Sequence, residues 1–367
     1  MNPIPQMEPW FDVEEQEAVS EYMRSGGWIT EFRKTQEFES SLAQFVGAKE
    51  SVATVNGTVA LALALMATGI SRDDEVIVPD LTMIASANSV VLAGGTPVLV
   101  DIDEETMCVD LEQAAAAVTP RTSALVYVPM NGRSGDMNAV RKFCDDEGIL
   151  LIEDSAQALG CYFRGRHLGT FGAVGTFSFS TPKIISTGQG GALVSDDDDL
   201  MARARKIKDF GRAEAGIDRH DVLGYNFKFT DIQAVIGLEQ MKKLAWRIDR
   251  KRTLFSSLRG AFEPGAHVRV PETDLSEVTP WFFDIRVDAL VRQPLMDHLK
   301  NVGIGTRPMY YPLHTQSPYV DTQTYKKSEF PNATKLSSEV LWLPSSSRLT
   351  DSDMERVCTA ITQFFGS

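Results

Sequence analysis

From about residue 35 the chain alternates two rhythms of apolar positions. In TQEFESSLAQFVG, Phe38, Leu42 and Phe45 recur at the spacing of a helix that buries one face. VALALALMATG is apolar on every side and reads as a buried helix, EVIVPD as a strand, ASANSVVLAGG as a helix and PVLVDID as a strand. The alternation continues through LEQAAAAV, SALVYVP, DMNAVRKFCDDEG and LLIEDS. Short apolar strands separated by crossover helices predict a mostly parallel sheet covered on both faces, the α/β class. In that class ligands sit beyond the C-terminal ends of the strands.

After LLIEDS the pattern tightens into two strands, GAVGTFSFS and GALVSD, separated by PKIISTGQG, before a helix beginning near Asp198. The run Asp196 to Asp199 reads as the cap and first turn of that helix. DIQAVIGLEQMKKLAWRIDRKRTLFSSL predicts one helix long enough to link two lobes. From about Val268, VRVP, WFFDIRV and LMDHLKNVG suggest a small α+β lobe, closed by a last helix, DMERVCTAITQFFG. At 367 residues the chain exceeds what one core normally serves. The expected boundary lies near residue 245, with residues 1–245 forming a large lobe that includes the N-terminal segment and 246–367 a smaller one.

Composition narrows the function classes. A net charge of -14 leaves no long-range positive field for a nucleic-acid backbone or an anionic membrane, although a few local donors can still hold a small anionic substrate. Cys108, Cys144, Cys161 and Cys358 lack C-x-x-C spacing, which argues against a disulfide framework or a zinc site. The five histidines show no H-x-x-x-H spacing, so no metal is expected. The N-terminus has no basic segment followed by an apolar one, and no apolar run is long enough to span a membrane. A cytoplasmic protein is expected.

Candidate chemistry begins with Asp154, at the end of LLIED, and Lys183, in SFSTPKIISTGQGG. A lysine amine forms an imine with the aldehyde of pyridoxal phosphate and, once freed, carries a proton. An aspartate beside the pyridine nitrogen keeps the ring protonated and electron-withdrawing. Taken singly, such a lysine is usually solvated and such an aspartate usually a cap. A third element raises the odds: Gly57 and Thr58 precede an apolar helix whose N-terminal N–H groups suit a phosphate, and Ser178 offers a further hydroxyl. The glycines around Gly188, Gly190 and Gly191 follow the lysine and do not open a βαβ unit, so they read as a tight turn and not as a dinucleotide fingerprint.

The stretches NGTVALALAL, DEVIVPDLTMIASANSV, GGTPVLVDID, TPRTSALVYVP, IEDSAQALG, TFSFSTPKIISTGQGGALV, GYNFKFTDIQAVIGL, GIGTRPMYYPLH and LWLPSSS carry a resemblance over nearly the whole chain. In order and spacing they resemble the DegT/DnrJ/EryC1/StrS sugar aminotransferases, of the aspartate-aminotransferase fold type. The resemblance implies pyridoxal phosphate on Lys183, with Asp154 at the pyridine nitrogen. Gln157 falls at the position that bonds the phenolic oxygen, and Gly57, Thr58 and Ser178 at the phosphate cradle. Asn226 matches an asparagine that serves the neighbouring subunit's phosphate, which implies a homodimer with shared sites. Arg307 and His314 match a substrate-side segment, and Trp28, Ile29 and Thr30 an N-terminal segment lining the sugar pocket. The implied substrates are glutamate and a nucleotide-linked keto sugar, aminated at C4 or C3.

Four departures accompany the resemblance. Met83 stands where an aromatic ring usually covers the cofactor, Lys228 replaces an arginine, Gln189 replaces a glutamate, and Pro129, Met130 and Asn131 replace a His-Leu-Tyr run. Two rivals bear on the reading. A keto-sugar dehydratase of this fold replaces the lysine with histidine, which Lys183 argues against. A noncatalytic regulator has no reason to keep Lys183, Asp154, Gln157 and Ser178 together.

Overall fold

The computed structural model describes residues 2–214, 216–262, 267–320 and 329–366. Seven strands form the main sheet: β1 (Glu50–Thr54), β2 (Glu75–Pro79), β3 (Thr96–Val100), β4 (Thr122–Tyr127), β5 (Leu150–Asp154), and, after a short hairpin of β6 (Tyr162–Phe163) and β7 (Arg166–His167), β8 (Val174–Ser178) and β9 (Gly191–Ser195). Their spatial order is β1-β9-β8-β5-β4-β2-β3, and only β9 runs against the others. The α/β reading therefore holds. The strands are mostly apolar in their middles because helices cover both faces; Val76, Ile77 and Val78 are all fully buried.

Local chemistry sets the element ends. The helix Gly57–Thr68 starts where the Asn56 side chain accepts from Val59 N at 2.9 Å and stops at Gly69, in the left-handed region at φ 94°. Its Leu61, Leu63 and Leu65 enter the same core as Val76, Val78 and Ile152. Asp197 caps the helix Asp198–Lys208 through Leu200 N, as the aspartate run suggests.

A second, three-stranded antiparallel sheet has the order β10 (Phe283–Arg286), β12 (Val340–Leu343), β11 (Arg307–Pro308). It packs with the helices Ala289–Asn301 and Asp351–Gly366. The segment VRVP contributes only a bridge between Arg269 and Arg286 and no strand. The N-terminal residues reach this sheet's neighbourhood, with Ile4 N bonded to Gly303 O and Gly305 N to Ile4 O, both at 2.8 Å.

The expected long helix is two, Asp231–Lys242 and Leu244–Gly260. At Lys243 the N–H bonds back to Gln240 O at 3.1 Å, a tightened turn. Its ammonium pairs with Asp12, Glu14 and Glu15, while Gln240 donates to Trp10 O and Glu15. The helix Val13–Arg24 thus docks across the break and holds it. Between the two sheets, Arg133 makes a bidentate pair with Asp284 at 2.8 and 2.7 Å, both buried, and donates to Thr273 Oγ1.

Candidate active site

The C-terminal ends of β1, β2, β5 and β8 point the same way, so the residues that follow them gather along one edge of the sheet. Asp154 ends β5 and is only 8% exposed. Ser86 Oγ donates to its Oδ2 at 2.7 Å, and Ala156 N lies 3.3 Å from Oδ1. Burial pushes its carboxyl up from the usual range, while Ser86 and the charge of Lys183 pull it back. A carboxylate so placed favours a cationic partner.

Lys183 sits in the loop between β8 and β9, with Nζ 3.8 Å from the centre of the Trp281 indole. Burial lowers its amine to about 7, with Asp154 opposing the shift and Arg307 reinforcing it. Near neutral pH much of it is the unprotonated nucleophile. The loop is fixed from three sides: Trp281 Nε1 donates to Pro182 O at 2.9 Å, Arg247 to Ile184 O at 3.0 Å, and Ser186 N to Gln240 Oε1 at 3.2 Å. Gln157, Ser178, Lys183, Lys251 and Trp281 line one small cavity.

The proposed cradle has a physical signature. A Cβ on Gly57 would lie 2.8 Å from Ser178 Cβ and 3.0 Å from its Oγ. Only glycine lets the first helical turn approach the end of β8 so closely. The first-turn N–H groups have no acceptor within the helix and, together with the Ser178 hydroxyl, form a place for a phosphate. A buried carboxylate, a depressed lysine amine and a glycine-made anion cradle on one sheet edge fit pyridoxal phosphate.

The other expected residues are distributed unevenly. Gln157 is buried, and its Oε1 accepts from Asn131 N at 2.8 Å, which leaves its amide hydrogens to donate elsewhere. Asn131 adopts φ 52° inside the Pro129, Met130, Asn131 run, and its side-chain amide is buried without a partner. Met83 and Arg307 line a cavity of about 250 Å³ with Thr82, Tyr310 and Tyr311. His314 does not line it: the ring is 6% exposed, bonds Asp80 Oδ2 at 2.7 Å and stacks on Phe330. Lys228 bonds Asp209 at 2.8 Å, and Asn226 lies exposed with a backbone bridge to Asp209. Trp28, 64% exposed, and Ile29 and Thr30 lie on the protomer surface and border neither cavity. Gln189 accepts from Gln233 Nε2 through its backbone carbonyl.

Three residues escape sequence reasoning. Ser86, one of three polar residues in a short helix with no spacing that singles it out, reaches Asp154 from another strand's connection. Trp281 and Lys251 come from the second half of the chain, and Lys251 donates to Trp281 O and Ser345 O from full burial. A lysine inside an apolar helical face, RIDRKRTLF, is the one signal that marks Lys251. Among the described residues the one carboxylate group with metal-ligand spacing is Asp12, Glu14 and Glu15, which Lys243 already pairs. No described helix is long and apolar enough to cross a membrane.

Comparison with known proteins follows the same lines. The model of the DegT/DnrJ/EryC1/StrS aminotransferase family matches residues 9–362. A GDP-perosamine synthase of Caulobacter vibrioides is 36% identical over 365 residues, which span 97% of this chain and 96% of the relative. The aminotransferase TlmJ from Streptoalloteichus hindustanus superimposes with a TM-score of 0.92 at 30% identity over 99% of both chains. DesI, solved in the presence of its TDP-sugar product, does so with a TM-score of 0.89 at 32% identity, over 99% of this chain and 93% of that one.

Proposed function

This chain belongs to the DegT/DnrJ/EryC1/StrS aminotransferase family, its cofactor is pyridoxal 5'-phosphate, and we propose that it moves an amino group from glutamate to C4 of GDP-4-keto-6-deoxymannose, yielding GDP-perosamine and 2-oxoglutarate. The observation that carries the reading is the buried Asp154 beside a depressed Lys183 amine on the edge where Gly57 meets Ser178. When bound, the cofactor supplies an aldehyde that accepts the amino group and a ring that withdraws electrons.

Each residue then has a defined task. Asp154 holds a proton at the pyridine nitrogen, because its burial makes a cationic partner favourable. Gly57 and Thr58 bind the phosphate through first-turn N–H groups, with the Ser178 hydroxyl beside them. Gln157 donates its free amide hydrogens to the phenolic oxygen. Lys183 takes the proton from the α-carbon of glutamate and later delivers one to C4 of the sugar. Met83 and Arg307 line the same cavity, where Met83 would lie against the cofactor ring and Arg307 would offer a charge to the substrate.

The working unit is a homodimer: Asn226, exposed on one protomer, completes the phosphate site of its partner, and Trp28, Ile29 and Thr30, exposed on the protomer surface, border the sugar pocket only once the dimer forms, while Lys228 and His314 act from behind it by holding Asp209 and Asp80. A dTDP-linked 4-keto-6-deoxy sugar is the second reading, favoured by the likeness to DesI with its TDP-sugar product. Comparing kcat/KM for GDP-, UDP- and dTDP-linked keto sugars with glutamate decides between them. A clear preference for the GDP sugar is expected; preference for another nucleotide overturns the perosamine assignment, and no amination of any keto sugar overturns the transfer itself.

A further inference from the structure

Trp281 occupies an unusual position in the site. Its indole face lies 3.8 Å from Lys183 Nζ, and the same ring donates Nε1–H to Pro182 O at 2.9 Å, the residue just before that lysine. The ring cannot drift: it stacks on Phe282 at 3.8 Å, meets Trp342 edge-on, and is 5% exposed. Its own backbone is tied at both ends, with N–H directed at Asn131 O and the carbonyl accepting from Lys251 Nζ at 2.8 Å.

We propose that Trp281 is a positioning residue that holds the Lys183 amine against its indole face whenever that amine is free of the cofactor, with Lys251 anchoring the Trp281 backbone carbonyl. The inference rests on the reading that Lys183 carries the cofactor. A transaminating lysine is released and rejoined in every cycle, so it needs a defined resting place close to the reacting carbon. The indole supplies one without competing for the amine as a hydrogen-bond acceptor would, and its face stabilises the ammonium form. The charged groups facing Lys183 are Asp154 and Arg307, and Lys251, Arg247 and Glu8 line the adjoining cavities.

The test uses full-length protein freed of cofactor, with trace acetylation of Lys183 followed by peptide mass spectrometry across pH. The wild-type midpoint is expected near 7. Removing the face in Trp281→Leu is expected to lower the midpoint by about half to one and a half pH units, since the ring favours the protonated amine. Trp281→Phe keeps a face and is expected to stay closer to wild type. Because either variant can be poorly folded, protein grown with mono-, di- and trifluorinated tryptophan gives a shape-preserving series. A midpoint falling stepwise with fluorination supports the proposal; a midpoint that does not respond in that series overturns it. Borohydride mapping of the cofactor on the same preparations separates the two ideas: an adduct on a different lysine removes the cofactor assignment, whereas an adduct on Lys183 with an unresponsive midpoint removes only the role of Trp281.

Discussion

Gly57→Ala is a small change with a large expected consequence. The glycine has an ordinary helical backbone, so alanine meets no conformational penalty and by itself favours the helix by up to about 1 kcal/mol. The added Cβ, however, falls 2.8 Å from Ser178 Cβ, a rigid atom next to the backbone of β8. Restoring ordinary contact requires the helix start and the strand end to separate by at least about 0.6 Å. A shift of that size spoils one hydrogen bond to a doubly charged phosphate, worth about 1.5–3 kcal/mol, so the cofactor dissociation constant is expected to rise about ten- to a hundredfold. Fluorescence titration of cofactor-free protein with pyridoxal phosphate measures it, and thermal unfolding without cofactor should show Tm unchanged or lowered by a few degrees, since relieving the clash costs about 1–3 kcal/mol against the helix gain. Adding Ser178→Gly removes the clash but also the hydroxyl, so it should recover only part of the loss. Unchanged affinity in Gly57→Ala refutes the placement of the phosphate between this helix and β8.

Three further outcomes are expected. Asp154→Asn should fold yet lose turnover by a factor on the order of 10²–10³ in kcat with little change in KM, since a neutral amide cannot keep the pyridine nitrogen protonated; near-normal kcat in steady-state assays refutes this. Arg133→Met should destabilise the protein by about 3–5 kcal/mol in urea unfolding, because it strands Asp284, 0% exposed, without its partner; a loss below about 1 kcal/mol would show that water or another group takes over. Mixing inactive Lys183→Ala with Asn226→Ala protein, under conditions where limiting cofactor leaves the latter inactive, should restore about a quarter of wild-type activity if subunits exchange freely, and no restoration contradicts the shared site.

Much of this arrangement is legible in the amino-acid sequence itself. EVIVP and LLIED announce buried parallel strands because helices on both faces favour a continuous apolar run, with the acidic residues kept to the strand ends. Asp154 and Lys183 stand out because strand ends in such sheets carry chemistry. What escapes is set by distant contacts. The break at Lys243 follows from acids on the first helix, some 230 residues away, while the local pattern favours continuous helix. Strand β12 is a short apolar run, VLWL, that periodicity alone does not distinguish from helix. Trp281 joins Pro182 across 99 residues, and His314 turns inward because Asp80, at the end of β2, accepts both its N–H and its ring. No spacing in the sequence encodes either contact.

Lys183, half-buried, and the fully buried Lys251 lie against one small cavity, and desolvation of their amines lowers both to about 7. Depressed basicity alone does not tell which one carries the cofactor. Lys251 Nζ is already committed to Trp281 O and Ser345 O, whereas Lys183 faces Asp154 from the open edge of the sheet. Borohydride reduction of the yellow holoenzyme, followed by peptide mapping, distinguishes them directly. We expect a single phosphopyridoxyl adduct on the peptide containing Lys183, absent in Lys183→Ala; an adduct on Lys251, or colour that survives Lys183→Ala, would contradict the site.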